Sequence, residues 1–246
     1  MLEPVTQQTT PVAVSRRVPI RAALVTILAA VVVLIAGPAS AAGLPWWLGS
    51  GLFWGGAVVA GLGALVVAFL LLRHRSPRPL LLGALVVGLL AALIPAGLYL
   101  AASGYPRIHD ISTDTADPPQ FNALLASRGI GATDAAYDGP LVAAQQRVAY
   151  PDLVGLLLSQ PPRAVFDRAL ATARARGWRI AAADQATGII EAVATVPWWG
   201  LRDDIVIRVR PDGGGSRVDM RSKSRAGGGD DGRNAQRIRD YLAKLR

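Results

Sequence analysis

Three long apolar runs occupy the first 102 residues, and a region with a mixture of charged and apolar residues follows over 103–246. The runs span roughly residues 22–42, 52–72 and 79–102, and none contains a charged side chain. Each is about twenty residues or longer, which is enough for a helix to cross the ~30 Å hydrocarbon core of a bilayer. Helices on the surface of a soluble protein keep a polar face, and these runs have none. The pattern therefore predicts a three-helix transmembrane anchor over residues 22–102.

The charges beside these runs predict the orientation of the anchor. Basic residues lie before the first run and between the second and third, at Arg16, Arg17, Arg21, Arg73, Arg75 and Arg78. Positive loops stay on the cytoplasmic side, so residues 1–21 are expected to form a cytoplasmic tail. The chain after residue 102 is then expected on the other side of a bacterial inner (plasma) membrane, as a periplasmic or extracellular domain. Aromatic residues that fall near the predicted outer interface agree with this orientation: Trp46, Trp47, Trp54, Tyr99 and Tyr105.

One alternative for the first run stays open. Residues 15–42 also resemble a secretory signal, with a basic start, an apolar stretch and a small-residue site at Ala39-Ser40-Ala41. The run is long for such a signal, which favours a retained helix. The orientation of the rest is the same in both cases, because a cleaved chain would enter the membrane at residue 52 and return at residue 102.

The amino-acid composition and the distribution of charge argue against several classes of function. The chain has no cysteine, which excludes disulfides, thiol nucleophiles and thiolate metal sites, and a cysteine-free exported domain fits a bacterial envelope. Of the net charge of +9, residues 1–102 contribute +5 from six arginines and one glutamate. Most of the basic excess therefore belongs to the membrane flanks, and nucleic-acid binding is not indicated. No charged residue lies inside the runs, so an ion path is not indicated either, and we interpret them as an anchor.

The region after the anchor divides into two parts. Residues 103–150 are punctuated by proline and glycine and predict an extended Pro-rich arm with one short helix. Residues 151–246 predict an α+β domain, a four-stranded antiparallel meander flanked by two helices. The first helix begins at Pro161-Pro162 and ends at Gly177, and Asp230 and Asp231 are N-cap candidates for the last. Alternating apolar residues predict the strands over 178–183, 189–196, 204–210 and 216–224.

Several short strings in this region are recognisable together. Residues 106–115 have the sequence Pro-x-Ile-His-Asp-Ile-Ser-Thr-Asp-Thr and precede Pro118-Pro119. Others are Ala149-Tyr150-Pro151-Asp152, Gly177-Trp178, Ile190-Glu191-Ala192, and the segments 203–209, 217–225 and 234–239. With these strings the chain resembles the domain of unknown function 1499 family over nearly all of 105–246. Similar members often carry N-terminal membrane spans. The resemblance implies one fold and a membrane location but no chemistry, because the family has no assigned activity.

Two departures from the family pattern are visible. Trp198-Trp199-Gly200-Leu201 stands where a Phe-Gly-Phe-like turn is expected, although the aromatic character is kept. The loop 227–229 is three consecutive glycines and is more flexible than is typical of the family.

The last predicted strand carries the strongest candidate for a binding site. Its period of two places Arg217, Asp219, Arg221 and Lys223 on one face, and the neighbouring strand adds Arg208 and Arg210. Arg225 and the glycine loop follow, so Arg208, Arg221, Lys223 and Arg225 are predicted to bind an anion such as a phosphate, a carboxylate or a lipid headgroup. Asp230 and Asp231 argue against an anion at the following helix. The alternative is a solvated polar face with cross-strand Arg–Asp pairs.

Other candidates involve aromatic, acidic and histidine residues. Trp198, Trp199 and the arm around His109 are predicted contact surfaces. Asp203, Asp204 and His109 form the enzymatic alternative, which would act on a phosphorylated or lipid substrate by acid–base chemistry. Asp110, Ser112 and Asp114 have the spacing of a calcium loop, but Thr115 and Phe121 stand where its glycine and glutamate belong, so local turns explain them as well.

The pattern as a whole favours a non-enzymatic envelope protein whose α+β domain binds a protein or an anionic ligand. The expected partners are the lipid bilayer and an envelope protein or anionic lipid, without a cofactor, a metal or nucleic acid. A membrane-anchored enzyme and a purely structural protein are the alternatives.

Overall fold

The computed structural model describes residues 17–73, 79–129 and 131–246. The chain divides into two compact units, one containing residues up to Ile35 together with Gly51–Ala96, the other Ala36–Ser50 with Gly97–Arg246. The basic loop over 74–78 and most of the predicted cytoplasmic tail lie outside the described residues.

Three helices form the N-terminal part of the described chain. They are α1 Arg17–Ala41, α2 Trp46–Arg73 and α3 Pro79–Ala102, and all three are long and apolar enough to cross a membrane. Small residues let them approach closely. A Cβ at Gly88 of α3 would lie 2.5 Å from the Thr26 side chain of α1 and 3.0 Å from the Ala60 carbonyl oxygen of α2. Only glycine fits this crossing without displacing a neighbour.

The C-terminal unit is built on one six-stranded antiparallel sheet. Its strands are β1 Asp110–Ser112, β2 Leu156–Leu158, β3 Arg179–Asp184, β4 Ile189–Thr195, β5 Arg202–Asp212 and β6 Gly215–Ser224. The order across the sheet is β1-β6-β5-β4-β3, and β2 pairs with another part of β6 on the β1 side. The helices are α4 Pro140–Ala149, α5 Pro162–Ala175 and α6 Arg233–Ala243, and a 3₁₀ turn spans Leu125–Ser127.

The predicted fold class is confirmed, with a correction in the number of strands. The four predicted strands correspond to β3 to β6, and the two predicted flanking helices correspond to α5 and α6. The short strands β1 and β2 were missed. Each is three residues long, too short to show the alternation on which the prediction relied. β1 lies inside the segment predicted to be an extended arm.

The two faces of the sheet are covered differently. On one face Ile205, Ile207 and Met220 are fully buried in the apolar core, together with Phe166 of α5 and Ile238 of α6. The other face carries charged side chains. The middle of the arm runs across that charged face, and its Phe121 and Leu124 pack on Val193 and Val206. The unit therefore has a helical layer, a sheet and an irregular third layer formed by the arm.

The start of α6 differs slightly from the predicted cap. The Asp230 carboxylate accepts hydrogen bonds from the backbone N–H groups of Gly232 (3.0 Å) and Asn234 (2.8 Å). Asp231 is exposed and has a left-handed backbone (φ 53°). Asp230 thus satisfies the free N–H groups at this helix end, although burial raises the pKa of its carboxyl.

Candidate functional site

The charged face of the sheet brings the predicted anion-binding residues together. In the antiparallel register Lys223 of β6 lies between Asp110 of β1 and Asp204 of β5. Arg221, two residues earlier, lies opposite Val206 on the same face. Cross-strand neighbours in such a sheet point to the same side, so this face presents alternating cations and carboxylates to the arm.

Arg221 is the centre of the buried part of this face. Its Nε and NH2 atoms donate to the two oxygens of Asp110 at 2.8 and 2.9 Å, and neither side chain is exposed. The remaining N–H groups reach the carbonyl oxygens of Pro119 (3.2 Å) and Ala135 (3.0 Å) in the arm. The Phe121 ring centroid lies 4.7 Å from the guanidinium carbon. The guanidinium is therefore held by a bidentate pair and by backbone from the arm.

The charges of Lys223 and Arg225 are also neutralised by carboxylates of the same unit. The Lys223 ammonium donates to Asp138 (2.5 Å) and to the Ala136 carbonyl oxygen (2.7 Å), and it lies 3.3 Å from Asp110. The Arg225 Nε donates to Asp204 at 2.8 Å, and its NH1 donates to a carbonyl oxygen of the arm. A second arginine of the arm, Arg128, contacts the other oxygen of Asp204.

Glu191 fixes the arm at a further point. Its carboxylate accepts hydrogen bonds of 2.9 to 3.1 Å from the backbone N–H groups of Asn122, Ala123 and Leu124. These N–H groups belong to the turn that enters the 3₁₀ segment, and the buried N–H of Leu124 would otherwise lack a partner. The side chain of Glu191 is buried, so the contact is structural.

A second, outer cluster lies where β5 and β6 approach their hairpin. Its cations are Arg208, Arg210 and Arg217, and its carboxylates are Asp114, Asp117 and Asp219. Asp219 is fully buried, while the Arg210 and Arg217 side chains are 39% and 35% exposed. Burial opposes the charge of Arg210, but its hydrogen bonds to Asp219 and Asp117 raise its pKa.

The four predicted anion-binding residues therefore share one face, but the arm covers them. Arg221 and Lys223 are inaccessible, and Arg208 and Arg225 are nearly so. Each already contacts at least one carboxylate. The alternative of cross-strand Arg–Asp pairs describes the contacts better, except that the face is not solvated. Sequence reasoning missed the arm residues that cover it, because Asp110 is 111 residues from Arg221 and no local pattern links them.

The predicted aromatic contact residues lie in the turn between β4 and β5. The rings of Trp198 and Trp199 meet edge to face with centroids 4.9 Å apart. Trp198 has a left-handed backbone (φ 69°) and is 41% exposed. Trp198 and Trp199 are the two aromatic residues of this turn.

The two acidic residues of the enzymatic alternative point to opposite sides of the sheet. Asp204 points to the arm, where Arg225 and Arg128 contact it, whereas Asp203 points to the helical side and pairs with Arg237 at 2.5 Å. Successive residues of a strand alternate in this way. The His109 Nε2 atom lies 3.6 Å from a carboxylate oxygen of Asp138.

The candidate calcium residues are also engaged elsewhere. Asp110 binds Arg221, and one oxygen of Asp114 accepts hydrogen bonds from the N–H groups of Ala116 and Asp117, which forms a local turn. Within residues 17–73, 79–129 and 131–246 there is no group of three His, Asp or Glu side chains arranged to hold a metal ion.

The fold and this site define a protein with three apolar helices and an α+β domain whose charged sheet face is closed by its own arm. The sequence model of a family described as protein of unknown function (DUF1499) matches residues 110–245. This match covers more than half of the chain, and the protein belongs to that family. A comparison with curated proteins found no match.

Proposed function

We propose that the protein is a membrane-anchored, non-enzymatic binding module. In this proposal the three apolar helices lie in a bacterial inner membrane, and the α+β domain faces outward and binds a protein or an anionic lipid of the envelope. The observation that carries the proposal is the closed charged face. Asp110, Asp204 and Asp219 are fully buried and each contacts at least two cations.

Such a network supports a rigid scaffold better than a catalytic centre. A general acid or base must reach a proton of the substrate, at hydrogen-bond distance or through one water. The buried carboxylates of this face are instead saturated by fixed cations. Binding then belongs to the outer surface, where Arg210 and Arg217 of the outer cluster are partly exposed and Trp198 is 41% exposed.

The outward orientation rests on the basic residues beside the apolar runs. It is tested by fusing alkaline phosphatase or green fluorescent protein to the C-terminus of the full chain. An outward domain gives an active phosphatase and a dark fluorescent protein, because each reporter matures on only one side of the membrane. The opposite pattern would reverse the proposed orientation.

The binding role is tested by native mass spectrometry of the full-length protein, gently extracted from its own membrane. We expect a co-purifying protein or anionic lipid. The adduct should weaken in Arg217→Gln, which removes a partly exposed cation, and persist in Arg174→Gln, an exposed arginine on α5. A bare protein that turns over a phosphorylated substrate, with turnover lost in His109→Gln, would replace this proposal with the enzymatic alternative.

A further inference from the structure

The aromatic turn between β4 and β5 lies against the end of an apolar helix. Residues Ala36–Ser50 include the last residues of α1 and belong to the same compact unit as Gly97–Arg246. A Cβ at Gly37 would overlap the indole ring of Trp198, so the ring rests directly on the helix there. A Cβ at Gly200 would lie 2.6 Å from the Cα atom of Ala41, the last residue of α1. Two glycines, one in the helix and one in the turn, therefore allow this contact.

The turn is held in a conformation that presents Trp198 to the helix. The Val196 N–H donates to the Leu201 carbonyl oxygen at 2.7 Å, and the Gly200 N–H donates to the Val196 carbonyl oxygen at 3.0 Å. Trp198 itself has φ 69°, which is unfavourable for a bulky residue. A backbone conformation of this kind persists only where the surrounding structure imposes it. The contact with Gly37 is one such constraint.

For α1 as a membrane-spanning helix, this contact falls near the boundary between hydrocarbon and headgroups. About twenty helical residues cross the ~30 Å hydrocarbon core, and counted from Ala22, directly after Arg21, they end at Ala41. Gly37 is then roughly 6 Å inside that end, because an α-helix rises about 1.5 Å per residue. Tryptophan side chains are enriched at this depth. The position is the same whichever side of the membrane this helix end faces.

The surface around the contact is compatible with lipid. Neither residues 36–50 nor residues 196–201 include a charged side chain, and charges at membrane depth are costly. Trp198 is 41% exposed, and Trp47 at the start of α2 is 62% exposed. An indole ring combines an apolar body with one N–H donor, which suits a boundary that is apolar on one side and hydrated on the other.

We propose that the Trp198–Trp199 turn inserts into the headgroup region of the bilayer beside the end of α1. The occupant is the bilayer because the Trp198 ring contacts a residue of the apolar helix itself. The turn then gives the α+β domain a membrane contact in addition to its connection through α3. This inference rests on the part of the proposed function that places the apolar helices in a membrane. It requires neither the outward orientation nor the binding of an anionic ligand.

The test is quenching by nitroxide-labelled lipid in the full-length protein, reconstituted in nanodiscs of phosphatidylcholine and phosphatidylglycerol. The chain has no cysteine, so Pro197→Cys, at an exposed position beside Trp198, carries a single fluorophore. Ala186→Cys, exposed in the turn at the other end of β4, is the matched control. We expect lipid with a nitroxide near its headgroup to quench the label at residue 197 more strongly than the label at residue 186.

Two further variants test the contact with α1. Gly37→Leu keeps the helix apolar but fills the place of the Trp198 ring. Trp198→Asn removes the ring, and asparagine tolerates the left-handed backbone. Each should lower the quenching at residue 197 to the level at residue 186. Gly51→Leu, on α2, should leave the quenching unchanged, because a Cβ at Gly51 meets open space.

The outcomes separate this inference from the proposed function. Quenching that is no stronger at residue 197 than at residue 186 would overturn the insertion of the turn. Quenching that survives both Gly37→Leu and Trp198→Asn would overturn it as well, because neither the helix contact nor the ring would then hold the turn in the bilayer. The binding function is decided separately, by the adduct in the native mass spectrum and its response to Arg217→Gln, a residue outside this turn.

Discussion

At the scale of single residues, the buried pair between Asp110 and Arg221 is expected to have a large energetic effect. Both side chains are inaccessible, and Lys223 lies 3.3 Å from the same carboxylate. Removing one partner of a buried pair leaves the other charge without compensation, which typically costs about 3–5 kcal/mol. The net value of the intact pair is smaller, because both ions lost their hydration on folding.

We therefore predict that Asp110→Asn lowers the free energy of unfolding by about 3–5 kcal/mol. The measurement is denaturant unfolding of the full-length protein in neutral detergent. Asp231→Asn is the matched control, since Asp231 is exposed and asparagine tolerates its left-handed backbone. A loss below ~1 kcal/mol in Asp110→Asn, the typical cost of a surface pair, would show that this pair is not an essential contact.

Asp114 makes stability depend on pH. Burial opposes its charge, but the N–H groups of Asp117 and Ala116 and the nearby Arg217 and Arg208 lower its pKa below the ordinary 3.8. As the pH falls through 3.8, the unfolded chain takes up a proton before the folded protein does. The stabilisation from this group is therefore complete above pH 3.8 and is lost as the pH falls through the lower folded pKa.

We predict that Asp114→Asn flattens the fall of the unfolding midpoint below about pH 4. The midpoint is measured by thermal scans at pH values from neutral to strongly acidic. Asp212→Asn, at the exposed end of β5, should leave the slope unchanged. An unchanged slope in Asp114→Asn would contradict the assignment.

At the scale of elements, the turn between β3 and β4 depends on a glycine. Gly188 has φ 71°, and a Cβ there would lie 2.1 Å from the carbonyl oxygen of Val209. The two backbones are in direct contact at this point, because the Val209 N–H donates to the Gly188 carbonyl oxygen at 2.8 Å. Gly213, in the hairpin between β5 and β6, also has positive φ (53°) but has open space at its Cβ position.

A comparison of Gly188 with Gly213 separates the cost of a left-handed backbone from the cost of a steric clash. Gly213→Ala should cost about 1–2 kcal/mol, the penalty of an L-residue in the left-handed region. Gly188→Ala carries the same penalty and in addition must push β5 away, so we predict a clearly larger fall in its unfolding midpoint. Equal midpoints for the two variants would show that the close approach at Val209 contributes nothing.

The elements also show which features are predictable from sequence. Alternation over seven or more residues identified β4, β5 and β6, and helical spacing identified α5 and α6. The short strands β1 and β2 have no pattern of their own, because each exists only by pairing with β6. The two-residue period placed Arg221 and Lys223 on one face, as the strand register has them. Their burial depended on carboxylates at Asp110 and Asp138, far away in the chain.

At the scale of the whole molecule, the arm is part of the α+β domain. The main apolar core draws its residues from Ile108 to Leu245, so it includes arm residues such as Ile111 and Tyr150. A chain that lacked the arm would expose Arg221, Lys223 and Asp204 without their partners. The boundary between arm and domain that the proline content indicated does not coincide with a boundary of packing.

We predict that residues 103–246 fold cooperatively without the apolar helices, whereas residues 151–246 do not. Circular dichroism during thermal unfolding distinguishes the two fragments, because a cooperative transition requires a single packed core. A cooperative transition in the shorter fragment would show that the arm is dispensable. If the fragment 103–246 shows no cooperative transition, the domain depends on the residues before 103.

The sequence by itself determined the features that depend on short-range pattern. Hydrophobic runs predicted the three apolar helices, periodicity predicted the α+β class, and local strings indicated the family. Only the tertiary structure decided whether the charged sheet face is open to solvent or covered by the arm. The physical reason is that the energy of a charged side chain depends on what neutralises or hydrates it. For Arg221 that partner is Asp110, and only folding brings the two together.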